Sequence, residues 1–365
     1  MPISYSKSGV NYSAIDPTKK LAQNAAKSTA KNLKSSGFSE IETTRGESAY
    51  VWKQGSVYMA SVVEGLGTKN LVADTMYQLT GRTYYDTIAH DTVASIINDL
   101  TSVGARPLTI HAYWAVGDSN WLKDRKRMKD LIAGWKSACD LSQVSWGGGE
   151  TPALSGIINP ATIDLGGSAV GIIKNKKHLI TEKNLKPDDR ILLLKSNGIN
   201  MNGLSLARAL AEKLSSGYQT KLPNGKMYGE ALLTKSNIYA KLIKNLFKAG
   251  IDIHYLSNIT GHGLRKVMRA RQKYTYVLEH IFDSSELFNF IQGKAGLSDY
   301  EMYQTFNMGQ DYAIFISSKN MKKAMAVVKK NGFVGLDAGY VEKGPKQVII
   351  KAKNLVYKGE TLDLR

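Results

Sequence analysis

The sequence predicts a two-domain protein of the α/β type, grading into α+β, and three observations carry that expectation. At 365 residues the chain is longer than one small core organises. Strand-like alternation and helix-like periodicity take turns through both halves. Between the halves the texture changes: "KNKKHLITEKNLKPDD" (174–189) is charged, polar and mostly unperiodic, with Pro187 inside it. A boundary belongs there, giving domains over 1–173 and 174–365.

The elements follow in order. Residues 14–35 read as a polar, Lys/Ala-rich helix, and 47–64 as strands broken by "KQG" at 53–55. Residues 86–103 place Ile88, Val93, Ile96, Ile97 and Leu100 near helical spacing, with Asp86, Asp91 and Asp99 among them. Residues 106–117 read as a strand, 120–139 as a helix, and "GGGET" (147–151) as a Gly-rich turn before another apolar stretch. In the second half, 190–196 is a strand and 203–214 a helix. Residues 236–250 form a further helix, and 251–270 a strand, loop and helix. "QDYAIFIS" is a strand, "NMKKAMAVVKKNGF" a helix, and strands run through "KQVIIKAK".

Composition narrows the classes. Hydrophobic residues at 43% and charged residues at 22% describe an ordinary globular protein. No run approaches the roughly 20 apolar residues of a membrane span. The first sixteen residues carry no apolar leader segment. The lone Cys139 can make no disulfide within the chain, which fits a reducing cytoplasm. The net charge of +18 suits phosphorylated ligands, an anionic surface or nucleic acid. The lysines are scattered, and the denser runs are short, which argues against nucleic acid as the main partner.

Four loops share small residues, hydroxyls or amides, and a charge. They are Glu64-Gly65-Leu66-Gly67-Thr68-Lys69, Gly148-Gly149-Glu150-Thr151, the stretch from Asn197 to Gly203, and Asn258 to Gly263. Glycine lets backbone N–H groups approach an anion, and a following helix adds its positive end. Lys69 supplies a point charge suited to phosphate. Glu64, Asp91 and Asp99 are candidates for Mg²⁺, a hard ion that takes carboxylates and phosphate oxygens. Each residue also has a plain reading. Gly65 and Gly67 serve equally well in a strand-to-helix turn, and the pattern alone favours Asp91 and Asp99 as solvated helix acids. No Walker A spacing, zinc-binding pair or nucleophile elbow is present.

Taken together and in this order, the loops resemble the aminoimidazole ribonucleotide synthetase family, the phosphoribosylformylglycinamidine cyclo-ligases. "EGLGTKN" resembles that family's D-G-V-G-T-K-L, and "HDTVASIINDLTSVGARPL" its I-D-x-V-A-M-x-V-N-D-L-x-x-x-G-A-x-P-L. "GGETPALSG", "SNGINMNGLSLAR", "NITGHGL" and "EMYQTFNMG" match further family segments. The resemblance implies an N-terminal mixed sheet with helices that pairs across a homodimer, and a C-terminal α/β sandwich domain. It implies ATP- and Mg²⁺-dependent ring closure of a small phosphoribosyl substrate, formylglycinamidine ribonucleotide, in purine synthesis. Under it, Gly65, Gly67, Thr68, Lys69, Asp91, Asn98, Gly149, Glu150 and Thr151 bind the nucleotide. Gly198, Asn202, Gly203, Ser205, Thr260 and Gly261 bind the substrate, Glu64, Asp91 and Asp99 hold the metal, and Lys69, Asn200 and His262 are catalytic.

The chain departs from the family pattern at several of these places. Glu64 replaces an aspartate, Ser6 and Lys7 stand where Lys-Asp is expected, Asn200 replaces a histidine, and His262 replaces the middle glycine of G-G-G. An amide cannot shuttle a proton, so Asn200 fits an orienting role, with His262 as a candidate replacement. Three readings stay open at this point. They are the family reaction, a same-fold ATP-dependent kinase or amide-activating enzyme on another substrate, and a non-catalytic nucleotide-binding member.

Overall fold

A computed structural model describes residues 12–362; the departures at Ser6 and Lys7 lie outside the described residues. Among the described residues two sheets organise the chain. The first is six-stranded, with strands β1 (Ser39–Glu40), β2 (Tyr50–Gln54), β3 (Val57–Gly65), β4 (Arg106–Val116), β5 (Ser145–Glu150) and β6 (Ile163–Ile173), in the order β1-β2-β3-β6-β4-β5. It is mixed: β4 and β5 run parallel, while the other pairs are antiparallel. The second is seven-stranded, with β7 (Arg190–Lys195), β8 (Ile253–Asn258), β9 (Tyr274–Leu278), β10 (Gln310–Ile316), β11 (Gly335–Lys343), β12 (Gln347–Ile350) and β13 (Leu355–Lys358). Its order is β13-β12-β9-β11-β7-β10-β8.

Alternation explains the first sheet. Along β3, Tyr58, Ala60 and Val62 are buried on the face that also carries Glu64, while Met59, Ser61 and Val63 point the other way. The inner face is covered after helices α1 (Tyr12–Ser28), α2 (Lys31–Ser35) and α3 (Lys69–Thr80) by α4 (Tyr85–Thr101), which packs on β3, β6 and α5 (Arg125–Ser142). Every residue of α4 except Asp86 is buried. Its polar residues Asp91, Ser95, Asn98 and Asp99 recur at helical spacing, so they form one stripe. That stripe faces the second half of the chain, where Ser236, Asn237, Tyr239 and Asn258 bond to it. Asp91 is 0% and Asp99 7% exposed, which overturns the solvated-acid reading.

The second half supplies α6 (Leu204–Ala211), α7 (Tyr228–Leu232), α8 (Ala240–Lys248), α9 (Glu286–Ala295), α10 (Asp299–Thr305) and α11 (Met321–Lys330) around its sheet. Several boundaries differ from expectation for physical reasons. The helix expected over 120–139 is a 3₁₀ turn, Ser119–Lys123, followed by α5, whose start is fixed by the Asp124 side chain accepting from Arg127 N at 3.0 Å. The Gly-rich turn expected at 147–151 is mostly strand β5. A Cβ at Gly149 would stand 2.2 Å from the Ala112 carbonyl oxygen, so glycine here permits close strand pairing and not a turn. The helix expected from 236 starts at Ala240, because 234–239 is irregular and held by α4 through bonds to Asp91 and Asn98. The helix expected near 263–270 is the 3₁₀ turn Gly263–Met268.

Candidate active site

Where the halves meet, a cleft of about 400 Å³ opens between the end of β3, the α4 stripe and the loop after β8. It is lined by Glu64, Gly65, Gly67, Asp99, Asn202, Thr260, Gly261 and His262 among others. Three of the four sequence loops therefore converge, although they are far apart in the chain.

The β3 end is shaped by one backbone feature. Gly67 has φ +75°, a left-handed conformation that glycine adopts without strain. The turn brings Gly65 and Gly67 to the cleft wall, and Leu66 folds back into the core, 1% exposed. The loop is thus both a strand-to-helix turn and a cleft wall, the two readings the pattern could not separate.

Glu64 and Asp99 reach the cleft together, and Asn258 Nδ2 donates to Asp99 at 2.7 Å. Burial, and then the Asp99 carboxylate beside it, push the Glu64 carboxyl up to about 8. A divalent cation would relieve this crowding, and Mg²⁺ is commonly held by one or two carboxylates together with phosphate oxygens, so the pair fits it. Asp91 does not belong to such a site. Its carboxylate receives Lys69 Nζ at 2.5 Å and the Ser236 N–H at 2.8 Å. Among the described residues no group of three or more His, Cys, Asp or Glu is placed to hold a metal. Of the expected trio, Glu64 and Asp99 reach the cleft and Asp91 is turned to Lys69.

Lys69 is likewise away from the cleft. It is fully buried in the first turn of α3, with its ammonium given to Asp91 and to the Thr234 carbonyl at 3.0 Å. Asn98 donates to the Asn237 carbonyl at 2.8 Å and accepts from Tyr239 N at 2.9 Å. These residues of the first domain clamp segment 234–239. That segment in turn reaches Asp311, which accepts from the Tyr239 hydroxyl at 2.6 Å and from Asn200 Nδ2 at 2.6 Å.

Asn200 and His262 both have positive φ, +58° and +74°. Asparagine tolerates that region, and Asn200 lies behind the cleft, tied to Asp311. His262 lines the cleft, 6% exposed. Burial, then the nearby Lys266 and Arg265, lower its pKa to about 3, so the imidazole is neutral. Gly198, Gly203 and Ser205 do not line the cleft. Gly198 offers its carbonyl to Asn307 Nδ2 at 2.9 Å, and a Cβ at Gly203 would strike the Phe306 ring at 2.1 Å. Gly149 and Glu150 are exposed on the edge strand β5, with Thr151 just beyond it. Two strands, β6 and β4, separate that edge from β3.

Sequence reasoning missed Glu47, Lys266 and Arg269, which also line the cleft. Arg269 Nη2 donates to the Gly46 carbonyl at 2.9 Å, and its Nε lies 3.3 Å from Glu47. The spacing of Lys266 and Arg269, three apart on one turn, was a legible sign that they share a face. It also missed Asp311, whose signal was an acid inside the apolar strand "QDYAIFIS".

Two mixed α/β halves, with a cleft between them that has a Gly-x-Gly wall and a carboxyl pair, define a two-domain α/β protein. Family models give that class a name. Residues 46–173 match the AIR synthase related protein N-terminal domain, and 186–351 the corresponding C-terminal domain. The chain belongs to the AIR synthase family. It is 30% identical over 328 residues to the phosphoribosylformylglycinamidine cyclo-ligase of Methanothermobacter thermautotrophicus, covering 89% of this chain and 91% of that one. Against the enzyme of the same name from Methanocaldococcus jannaschii it is 32% identical over 278 residues, 76% of each chain. Among solved structures, the HypE–HypF complex aligns with a TM-score of 0.61 at 16% identity, covering 87% of this chain and 93% of that one. AaThiL complexed with AMPPCP and TMP aligns with a TM-score of 0.58 at 14% identity, covering 86% and 90%. These two likenesses show the shared fold.

Proposed function

We propose that the protein closes the imidazole ring of aminoimidazole ribonucleotide from formylglycinamidine ribonucleotide, using ATP. One observation carries this reading: relatives bearing the cyclo-ligase name match over about nine-tenths of the chain, in which three of the four sequence loops converge on one cleft. In the reaction the formamide oxygen takes the γ-phosphoryl group of ATP, releasing ADP. An amidine nitrogen then attacks the activated carbon, phosphate leaves with the former formyl oxygen, and the nitrogen loses a proton.

The chain's own groups suit these needs. Backbone at Gly65 and Gly67 borders the anionic part of the ligand, and amides and hydroxyls at Asn202 and Thr260 orient the substrate. Mg²⁺ would be held by Glu64 and Asp99 with phosphate oxygens, and would supply neutralisation of the charge on the transferring phosphoryl group. His262, neutral in the cleft, offers a hydrogen-bond acceptor to an amidine N–H. Lys69, Asp91, Asn98 and Asn200 act by positioning, since they hold segment 234–239 and its partner Asp311 and do not face the ligand.

The same reading divides the chain at 173/174, where the N-terminal family match and β6 both end. It makes the protein a cytoplasmic homodimer. Met59, Val63, Tyr113, Val170 and Ile172 lie on the sheet face opposite α4, with Val63 77% exposed, and a second copy would cover them. No helix among the described residues is long and apolar enough to cross a membrane.

The test is turnover by the purified protein with ATP and Mg²⁺, with and without formylglycinamidine ribonucleotide. ADP and aminoimidazole product forming in step, and only with substrate, support the reading. Nucleotide binding without substrate-dependent turnover would overturn it.

A further inference from the structure

The sequence placed the phosphate-binding charge on Lys69, but that ammonium is sealed against Asp91 and Thr234. The cleft contains a different lysine. Lys266, on the 3₁₀ turn after the Asn258–Gly263 loop, is 8% exposed, and its side chain lines the cleft. The turn is anchored, because Ser257 Oγ donates to the Lys266 carbonyl at 2.6 Å. Among the described residues no hydrogen bond or ion pair engages the ammonium itself. Its neighbour Arg269 differs, being spent on Gly46 and Glu47.

A lysine side chain that is only 8% exposed, with no partner on its ammonium, has given up most of its water without full compensation. Glu64 and Asp99 lend only part of the compensation. Neither carboxylate is within ion-pair distance of the ammonium among the described residues, and Asp99 is already held by Asn258. The missing partner is an anion that enters the cleft. The surrounding surface is suited to one: Gly65 and Gly67 on one wall, Thr260 and Gly261 on the other.

We propose that Lys266 binds a phosphate oxygen of the ligand in this cleft, taking the role the sequence assigns to Lys69. The inference rests on the proposed reading of the cleft as a phosphate-ligand site. Two phosphates could meet it, the polyphosphate of a nucleotide and the 5′-phosphate of the ribonucleotide substrate. The geometry assigns the shared chemistry, an anionic phosphate oxygen.

The experiment is calorimetric titration of wild type, Lys266→Met, Lys266→Gln and Lys266→Arg with AMPPCP plus Mg²⁺, and separately with ribose 5-phosphate, alongside thermal unfolding of each free protein. The expected result is an affinity loss of about tenfold or more for one of the two ligands in Lys266→Met and Lys266→Gln, as for a lost charge-assisted hydrogen bond. Lys266→Arg keeps most of that affinity, and the free Met variant unfolds at or above the wild-type temperature because an unpaired buried charge is gone. The ligand that weakens identifies which phosphate is bound. Unchanged affinity for both ligands in a folded Met or Gln variant would overturn the assignment while leaving the cleft reading intact. Wild type binding neither ligand would overturn both together.

Discussion

Lys69 and Asp91 form an ion pair at 2.5 Å with both side chains fully buried. The pair is closed off further by the Thr234 carbonyl on the lysine and the Ser236 N–H on the aspartate. Its function is to join the first domain to segment 234–239. Truncating either partner leaves an uncompensated buried charge, which costs about 3–5 kcal/mol. Lys69→Ala and Asp91→Ala are each expected to lose stability on that scale in urea unfolding, and the double variant to lose less than the sum. A loss near zero for Lys69→Ala would show that the lysine is free to serve a ligand.

Glu64 is the residue whose environment most calls for a cation. With Glu64→Gln the carboxyl pair is broken while the shape is kept. Mg²⁺ is then expected to strengthen AMPPCP binding much less than in wild type, while affinity without metal changes little. Calorimetry with and without Mg²⁺ reads this directly, and equal Mg²⁺ dependence in the two proteins would place the metal elsewhere.

His262 can be isolated cleanly because its backbone is left-handed, φ +74°. Glycine adopts that conformation without strain, so His262→Gly removes the imidazole and keeps the turn. The expected outcome is a folded protein whose kcat/KM falls by about 10²-fold, the lower range for a group that assists proton movement. Activity within a fewfold of wild type would reduce His262 to packing.

A pH effect is expected away from the cleft. His254 Nδ1 lies 2.7 Å from Asp189 Oδ1, and that hydrogen bond raises the His254 pKa above its usual 6.5. A raised pKa means the folded state binds the proton more tightly than the unfolded state. The stabilisation is complete below about 6.5 and is lost as pH rises through the folded-state value. The unfolding temperature of wild type should therefore fall, relative to His254→Gln, as pH rises above about 6.5. Parallel curves for the two proteins would contradict the pairing.

The sequence made the β3 loop and the Asn258–Gly263 loop legible as site elements, since glycines and hydroxyls interrupt apolar runs there. It identified Glu64, Asp99, Asn202 and His262, all of which line the cleft. Asp91 and Asp99 were harder. Periodicity shows that α4 has a polar stripe but cannot say whether water or a second domain covers it. The ion pair of Lys69 was not legible, because Asp91 is 22 and Thr234 is 165 residues away along the chain. The glycines of 147–151 read as a turn because close strand pairing and turning both call for a missing Cβ. Spacing puts Lys266 on one face with Arg269, but only tertiary packing turns that face into the cleft.

The most direct measurement follows one atom. Formylglycinamidine ribonucleotide carrying ¹⁸O in its formyl group is incubated with the protein, ATP and Mg²⁺, and the released phosphate is analysed by mass. If the formamide oxygen is phosphorylated and then expelled, each product phosphate carries that ¹⁸O in step with the aminoimidazole formed. Phosphate without the label, or ATP cleavage without ring closure, would contradict the account.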